Sequence, residues 1–459
     1  MIKDYLIKNA KYIHFIGIGG ISMSGLATLM MKMKIKVSGS DLVETHITRG
    51  LRKKGAKVFI GHSESNIKSQ DLVVYSGAIK ADNEELVKAK ALGIACVERS
   101  EFLGYVSKLF KVAIAVGGSH GKTTTSSMLS KCLIDAGLNP CVHLGGEVDF
   151  LGGSVRACSG KGMFISEACE YRKSFLYLKR DYAILLNMEV DHLDYYKTME
   201  NLNNAFLKFA NGAEVLVTAF ELNELHHFKS GKVVTVSLYN EKADFMIKNL
   251  SLLNCGGHCF EVYKRGEFYY NFTINVIGEF NVFNALCVIA LCDELGVEKA
   301  VIHNALLSFK GARRRFEHLG MLNNAQVIID YAHHPTEIAK VVAGFRSFFK
   351  GELVVLFQPH TYSRTKDLLK EFVRVFSDGA IDTLIILPTY PAREKPEQGL
   401  SGKQLQEEIA KAGVRACHYM SFKKAKSYLL DKSLADKVSF LILGAGDVED
   451  FARALVAKC

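Results

Sequence analysis

Short apolar runs alternate with longer, partly polar stretches along the whole chain. Clear examples of such runs, each four or five residues long, are Tyr12–Ile16, Leu72–Tyr75, Val112–Val116, Tyr182–Leu186 and Leu353–Phe357. Runs of this length beside glycine-rich turns predict buried strands, and the stretches between them predict helices. Strands that alternate with helices favour parallel, doubly wound sheets, so the predicted fold class is α/β.

The 459 residues divide into three such blocks, at about 150 residues for each domain. We predict a Rossmann-like N-terminal domain over residues 1–108 and a central P-loop ATPase-like domain with a mostly parallel sheet over 109–309. A second Rossmann-like domain is predicted over 310–459. Within the central block, the alternating polar stretch 242–276 predicts antiparallel strands, and Val282–Leu295 predicts a closing helix.

Composition narrows the class of protein. Hydrophobic residues make up 49% and charged residues 23% of the chain, as in ordinary soluble globular proteins. The net charge is +10, and the basic residues are interspersed with acidic ones along the whole length. We therefore expect an enzyme that handles small polyanions, with no nucleic-acid partner. The absence of a secretory signal and of an apolar run of ~20 residues predicts a cytoplasmic protein with no membrane contact. Eleven scattered cysteines without zinc-type spacing fit reduced, buried thiols.

The stretch from Gly118 to Thr125 predicts a loop that binds a nucleoside triphosphate. It follows the apolar run Val112–Val116 and precedes a helix-like segment, which is the context that a phosphate loop needs. Lys122 is expected to reach the β- and γ-phosphates, and the Thr123 hydroxyl is expected to bind Mg²⁺. The standard spacing fails, because it requires glycine where Val116 stands. The alternative is a turn that caps a helix, with Lys122 in solvent.

A second glycine-rich turn follows the first predicted strand. Gly17-x-Gly19 with Asp41 at the end of the next strand is similar to a dinucleotide fingerprint, but Ser22 occupies the third glycine position and Gly25 comes late. The pattern indicates a phosphate group at a helix N-terminus rather than NAD specifically. A tight turn required only for packing is the alternative.

Two potential metal ligands follow strands of the central block. Glu167 comes after Met163–Ser166, and His192 comes after the strand that begins at Tyr182. Because ligands bind at the carboxyl ends of parallel strands, both side chains are expected near Lys122 and Thr123, as an ATP–Mg²⁺ site requires. Taken singly, Glu167 also fits a surface acid and His192 a capping residue.

The third block carries polar clusters after two of its strands. Asp330–Thr336 contains paired histidines before Pro335, and Gln358–Arg364 contains histidine, tyrosine and arginine. Such residues suit an anionic carboxylate or phosphate. The alternatives are helix initiation at Pro335 with exposed histidines and, for Arg313–Arg315 at the block boundary, a solvated linker.

Together these motifs resemble the Mur ligases of bacterial cell-wall synthesis over nearly the whole chain. The resemblance is carried by seven segments in the family's order: His14–Gly25, the shortened phosphate loop, Glu167–Glu170, Asp191–Asp194, Asn281–Ala285, Arg314–Phe316 and Asp330–Glu337. Phe357–His360 continues the same order. The closest members attach L-alanine to UDP-N-acetylmuramate, so the resemblance implies an ATP- and Mg²⁺-dependent ligase that is a monomer or homodimer.

The resemblance also implies the site residues. The ATP set is Gly118, Ser119, His120, Gly121, Lys122, Thr123, Thr124, Asn281, Asn284, Arg315 and Asp330. The UDP-sugar set is Gly19, Gly20, Ile21, Ser22, Ser40, Asp41 and Ser76. The amino-acid set is Tyr331, His333 and Arg364. The metal ligands implied are Thr123 and Glu167 for one Mg²⁺ and His192 for a second, and the catalytic residues implied are Lys122, His192 and Arg315.

Three departures from the family pattern leave alternatives open. Cys169-Glu170-Tyr171-Arg172 replaces an acid-rich run, Phe280 stands where many members have histidine, and Thr361 stands where some have arginine. A related ligase that attaches a murein peptide or another small amino acid is therefore a second hypothesis. A non-catalytic nucleotide-binding regulator and an NAD-dependent oxidoreductase are hypotheses from other classes.

Overall fold

The computed structural model describes residues 9–158, 160–189, 193–253, 256–392 and 394–457. Twenty-one strands lie in this part of the chain: β1 Tyr12–Ile16, β2 Lys36–Asp41, β3 Lys57–Ile60, β4 Leu72–Tyr75, β5 Ala95–Glu98, β6 Val112–Gly117, β7 Cys141–Val148, β8 Gly153–Arg156, β9 Met163–Glu167, β10 Tyr182–Leu185, β11 Val215–Ala219, β12 Lys232–Ser237, β13 Phe245–Leu252, β14 His258–Lys264, β15 Glu267–Ile274, β16 Glu317–Leu322, β17 Ala325–Asp330, β18 Glu352–Phe357, β19 Thr383–Ile386, β20 Cys417–Tyr419 and β21 Val438–Leu443.

Sixteen α-helices lie in the same described ranges: α1 Ile21–Lys32, α2 His46–Lys53, α3 Glu84–Ala91, α4 Arg99–Lys108, α5 Lys122–Asp135, α6 Leu193–Tyr196, α7 Met199–Ala210, α8 Phe220–His226, α9 Glu279–Glu294, α10 Lys299–Ser308, α11 Pro335–Phe348, α12 Tyr362–Asp367, α13 Leu369–Phe376, α14 Gly402–Lys411, α15 Phe422–Lys432 and α16 Val448–Val456. None of these helices is both long enough and apolar enough to cross a membrane.

The strands form three sheets, and most neighbouring pairs are parallel. The N-terminal sheet has the order β3-β2-β1-β4-β5 and is parallel throughout. The ten-stranded sheet has the order β15-β14-β13-β12-β11-β10-β6-β9-β7-β8, and the third has the order β16-β17-β21-β18-β19-β20. The predicted α/β class with three mostly parallel sheets is confirmed.

By contacts, the described chain falls into two compact units. The first comprises residues up to 249 together with 260–272 and 283–309, and the second comprises 250–259, 273–282 and the residues from 310 onward. In the first unit, one hydrophobic cluster includes Phe15, Phe102, Phe164 and Phe209. The domain boundaries at 108 and 309 stay a prediction.

The second unit has a hydrophobic cluster on each face of its sheet. Val355 and Phe357 of β18 pack into one cluster, whereas Val354 and Leu356 pack into the other. Since successive side chains of a strand point to opposite faces, a strand covered on both sides is apolar at every position. This is why the sequence of β18 is a continuous apolar run and not an alternation of apolar and polar residues.

Several element bounds differ from those predicted. Strand β9 continues through Glu167, where the prediction ended it at Ser166, and α9 begins at Glu279 rather than Val282. In the stretch 242–276, β14 and β15 are neighbours joined by Arg265 and Gly266 alone. A connection of two residues allows only an antiparallel pair, as predicted.

Candidate active site

The phosphate loop lies between β6 and α5. Gly121 precedes α5 with a φ of +84°, a left-handed conformation that favours glycine. A Cβ on Gly121 would also lie 2.9 Å from the Asn284 Oδ1. The structure therefore brings Asn284 of α9 against the loop, as the predicted ATP set requires.

Lys122 points into the loop and not into solvent. Its ammonium donates to the carbonyl oxygens of Gly118 at 2.6 Å and Ser119 at 3.0 Å, and to the Glu170 Oε2 at 2.9 Å. Its side chain is 13% exposed and that of Glu170 2%. Burial is the largest single influence and would lower the pKa of Lys122, but the charge and hydrogen bond of Glu170, together with the charges of Cys169 and Glu167, outweigh it and hold that pKa above its ordinary value. The alternative of a solvent-exposed Lys122 is wrong.

Thr123 and Glu167 lie together at the edge of the same loop. The Thr123 hydroxyl donates to the Glu167 Oε2 at 2.8 Å, and the Gly145 N–H of β7 donates to the same oxygen at 2.8 Å. Among the described residues no group of three or more His, Cys, Asp and Glu side chains is arranged to hold a metal. A hydroxyl and one carboxylate are nevertheless a fitting donor set for Mg²⁺, which takes oxygen ligands and keeps several waters or phosphate oxygens. His192, the second metal ligand implied, lies outside the described residues.

The first half of the loop is anchored by residues that follow β10. The Ser119 hydroxyl donates to the Glu189 carbonyl and accepts from the Glu189 N–H, both at 2.9 Å, and the His120 N–H donates to the Asn187 Oδ1 at 2.8 Å. Thr124 is buried in the first turn of α5. The Ser119 hydroxyl is thus part of the loop's internal structure. Sequence reasoning missed Asn187, whose only signal is its position directly after a parallel strand.

The N-terminal glycine turn is shaped by the end of β2. The Gly17 and Ile18 N–H groups donate to the Ser40 carbonyl at 2.8 and 3.0 Å, and the Gly19 N–H donates to the Asp41 Oδ2 at 2.8 Å. The Ser40 side chain is fully buried and its hydroxyl donates to Glu85. The Ser40 carbonyl and the Asp41 carboxylate therefore fix the turn by accepting its N–H groups.

The remaining residues of the predicted UDP-sugar set surround this turn. Gly20 is the N-cap of α1 and uses no side chain to cap it, and Ile21, the first residue of α1, is exposed. Ser76 follows β4 and its N–H donates to the Ile16 carbonyl at 3.1 Å. Ser22 contacts His143 and Arg99. The turn thus leaves the N-terminus of α1 open to a ligand.

Gly25, the late glycine of the sequence pattern, has a packing role. A Cβ at this position would lie 2.5 Å from the Val155 Cγ2 and 3.5 Å from the His143 ring. Glycine is required because α1 lies against β7 and β8, and not because a phosphate approaches the backbone there. Gly25 lies inside α1 and not in the tight turn that was the alternative at this motif, so its packing role is separate from that turn.

A cluster of aromatic and basic side chains follows β17 and β18 in the second unit. The His333 ring lies 5.3 Å from the Tyr331 ring and 5.6 Å from the His360 ring, and the Arg364 Nη1 lies 3.1 Å from the His360 Nδ1. Burial is the main cause that lowers the pKa of His333 and of His360 to about 4, and the Arg364 charge acts in the same direction on both. Both imidazoles are therefore neutral near pH 7, and the His360 Nδ1 accepts from the guanidinium.

The helix-initiation alternative for the paired histidines is correct for only one of them. Pro335 is the first residue of α11, and the His334 Nδ1 accepts the Thr336 N–H at 3.3 Å as the helix cap. His333 is half-buried and faces His360 instead. The two adjacent histidines therefore differ in role: His334 caps α11, and His333 belongs to the aromatic and basic cluster.

Asp330 and Arg315 lie beside this cluster in the second unit. The Asp330 carboxylate accepts the N–H groups of Phe316 and Ala332, each at 2.7 Å, and burial raises its pKa to about 6 against the opposing Arg315 charge. The Arg315 guanidinium lies 5.2 Å from the Tyr331 ring centre, and its Nη1 lies 4.0 Å from the Glu337 Oε1. Asn281 is buried in the same unit, and its amide donates to the Ile277 carbonyl at 2.8 Å.

Family models of one enzyme class match most of the chain. The Mur ligase family catalytic domain matches residues 12–111, the Mur ligase middle domain 116–292, and the Mur ligase glutamate ligase domain 314–446. The chain therefore belongs to the Mur ligase family, and the family inferred from its motifs is confirmed.

Individual relatives are similar over almost their whole length. The chain is 43% identical to the UDP-N-acetylmuramate–L-alanine ligase of Acetivibrio thermocellus, over 95% of this chain and 94% of the relative. It is 40% identical to the enzyme of the same name from Clostridium tetani, over 97% of each. The crystal structure of UDP-N-acetylmuramate–alanine ligase from Thermotoga maritima has a TM-score of 0.83 at 29% identity, over 98% of this chain and 99% of that one. A murein peptide ligase from Psychrobacter arcticus shares the fold, with a TM-score of 0.73 at 21% identity, over 97% of this chain and 98% of that one.

Proposed function

We propose that this chain joins L-alanine to the lactyl carboxylate of UDP-N-acetylmuramate at the expense of ATP, in the synthesis of peptidoglycan precursors. The observation that carries the proposal is the phosphate loop, in which Lys122 is buried and charged and Thr123 lies 2.8 Å from Glu167. Relatives of that name, 40–43% identical over nearly full length, support the choice of substrates.

In the proposed reaction the lactyl carboxylate attacks the γ-phosphate and gives an acyl phosphate and ADP. Transfer of this kind depends on positioning and on neutralising the phosphoryl oxygens. Lys122 supplies a fixed positive charge, because the pKa of its ammonium is held above the ordinary value. Thr123 and Glu167 would hold Mg²⁺, which when bound offsets negative charge on the β- and γ-phosphates. Gly118, Gly121 and Asn284 complete the proposed triphosphate site.

The second step is attack by the alanine amine on the acyl carbon, with loss of phosphate. We assign the amino acid to Tyr331, His333 and Arg364, because a guanidinium beside two neutral imidazoles offers a cation for the carboxylate. The amine must lose a proton before it attacks. His333 and His360, being neutral, add no positive charge that would oppose binding of the amino acid in its protonated form. The remaining role assignments follow the family motif: Asn281, Arg315 and Asp330 for ATP, and His192 for a second Mg²⁺.

The proposal is tested by release of ADP from the purified chain with UDP-N-acetylmuramate and ATP against a panel of L-alanine, glycine, L-serine and a murein tripeptide. We expect L-alanine to give the highest kcat/KM. Release driven only by the tripeptide would assign the chain to peptide ligation instead. ATP binding without release of ADP for any acceptor would indicate a regulator, and binding of NAD would favour the oxidoreductase.

A further inference from the structure

Arg99, the first residue of α4, is a half-buried cation without an acidic partner. Its Nη1 donates to the Ser22 Oγ at 3.2 Å, and in the described part of the chain it makes no ion pair. The adjacent Glu98 is engaged elsewhere, since its carboxylate accepts the N–H and the hydroxyl of Ser100 at 3.4 and 2.5 Å. A guanidinium carries five N–H donors, and Ser22 uses only one of them. The other donors are available to an anion.

The two donors around Ser22 leave its hydroxyl hydrogen free for a further acceptor. The His143 Nε2 lies 3.3 Å from the Ser22 carbonyl oxygen and 3.2 Å from the Ser22 Oγ. Because a carbonyl oxygen only accepts, the Nε2 that faces it carries the proton, and burial lowers the pKa of His143 to about 4 so that the ring is neutral. Arg99 and His143 therefore both donate toward the Ser22 side chain. The Ser22 hydroxyl hydrogen must point away from both of them.

The surroundings favour negative charge at this point. Ser22 lies in the first turn of α1, whose N-cap Gly20 has no capping side chain, and the first turn contains no acidic residue. The free N–H groups of that turn add the positive end of the helix dipole to the charge of Arg99. A charged guanidinium, a donating hydroxyl and an open helix N-terminus together recognise an anion.

We propose that Arg99 binds an anionic oxygen group of the nucleotide-sugar substrate, with Ser22 as the second donor. This inference rests on the proposed function, which supplies the substrate, and it adds a binding residue that sequence reasoning did not assign. UDP-N-acetylmuramate carries two groups of this chemistry, the diphosphate and the lactyl carboxylate. His143 is a positioning residue here, because it acts on the substrate only through Ser22.

The test is calorimetric binding of UDP and of UDP-N-acetylmuramate to the full chain and its variants. Arg99→Met keeps the length of the side chain and removes the charge, and Arg99→Lys restores the charge without the fork of donors. We expect Arg99→Met to raise the Kd for UDP-N-acetylmuramate about tenfold or more, which is about 1.4 kcal/mol. We expect Arg99→Lys to recover part of that loss. Weaker binding of UDP as well assigns Arg99 to the diphosphate, and unchanged UDP binding assigns it to the carboxylate.

Arg49→Met, at an exposed arginine of α2, is the matched control and should bind both ligands as the unmodified chain does. Unchanged Kd values for both ligands in Arg99→Met would overturn the inference while leaving the proposed function intact. Failure of the unmodified chain to bind UDP-N-acetylmuramate would instead overturn the proposed function. If Arg99→Met does not fold, the single variants Ser22→Ala and Arg99→Lys replace it, because each is a smaller change. Their Kd values for UDP and UDP-N-acetylmuramate are then compared with those of the unmodified chain.

Discussion

Replacing Glu170 by glutamine should lower the Kd for the nucleotide and lower the stability of the protein without nucleotide. The Lys122 ammonium has three hydrogens, and the structure gives them three acceptors: two loop carbonyls and the Glu170 carboxylate. A phosphate oxygen that binds Lys122 must displace one of these acceptors. Glu170 is the charged acceptor, and its negative charge also repels the phosphates. Glutamine at this position keeps an acceptor oxygen and removes the charge.

The size of the effect follows from the difference between two kinds of hydrogen bond. Bonds to charged groups contribute about 1.5–3 kcal/mol. Lys122 stays charged in the variant, so removing the Glu170 charge moves this bond from the upper to the lower part of that range, a change of about 1 kcal/mol. We therefore expect Glu170→Gln to lower the Kd for ATP about fivefold. The same change should lower the stability of the protein without nucleotide by about 1 kcal/mol, because the Lys122 charge loses its nearest counterion.

Both effects are measurable on one preparation. Calorimetric titration with ATP and Mg²⁺ gives the Kd, and thermal unfolding without nucleotide gives the change in Tm. Glu224→Gln, at an exposed position of α8, removes the same charge away from the loop and should change neither quantity. Weaker ATP binding in Glu170→Gln would refute the reasoning, because it would mean that the carboxylate assists the nucleotide rather than competing with it.

Three further predictions follow from the same first unit. Lys122→Ala should abolish ADP release, and near-normal release would contradict the phosphate role of Lys122. His143 has a pKa lowered from 6.5 to about 4, so the unfolded chain takes up a proton between these values that the native protein does not, and stability is lost as pH falls through that window. His143→Gln should remove about 2 kcal/mol of this dependence between pH 7.5 and pH 5, measured as a smaller drop in Tm over that range than in the unmodified chain. Gly25→Ala should cost about 1–3 kcal/mol by overpacking against Val155, and a double variant with Val155→Ala should recover the Tm if that contact is the cause.

The strands and the phosphate loop were predictable because their signals are local. Residues Ala113–Val116 are buried, and a strand covered on both faces of its sheet is apolar at every position. The loop and the start of α5 follow it directly, and Lys122 and Thr123 lie in the positions that strand, turn and helix impose. Such a motif encodes its geometry within about ten residues, which is why one sequence sufficed.

The partners of these residues were not predictable in the same way. Glu170 contacts Lys122 across 48 positions of sequence, and His120 contacts Asn187 across 67. Nothing in the local pattern of Glu170 or Asn187 separates an anchor of the loop from a surface residue, since the packing of β9 and β10 beside β6 decides it. The predicted role of His192 stays a prediction.

Strand β7 explains why the N-terminal motif was harder to interpret than the phosphate loop. Its residues lie beside both predicted ligand sites of the first unit. His143 contacts Ser22 and the Gly145 N–H donates to Glu167, while a Cβ on Gly146 would lie 3.1 Å from the Thr123 Cγ2. The glycines at 145 and 146 thus lie in close contact with the side chains of Glu167 and Thr123, and Gly25 lies close to Val155. Glycines of this kind indicate that two segments pack closely, and they do not by themselves predict a phosphate-binding site. A glycine pattern therefore identifies a ligand only where, as at Gly121, the backbone also turns into the left-handed region at a helix N-terminus.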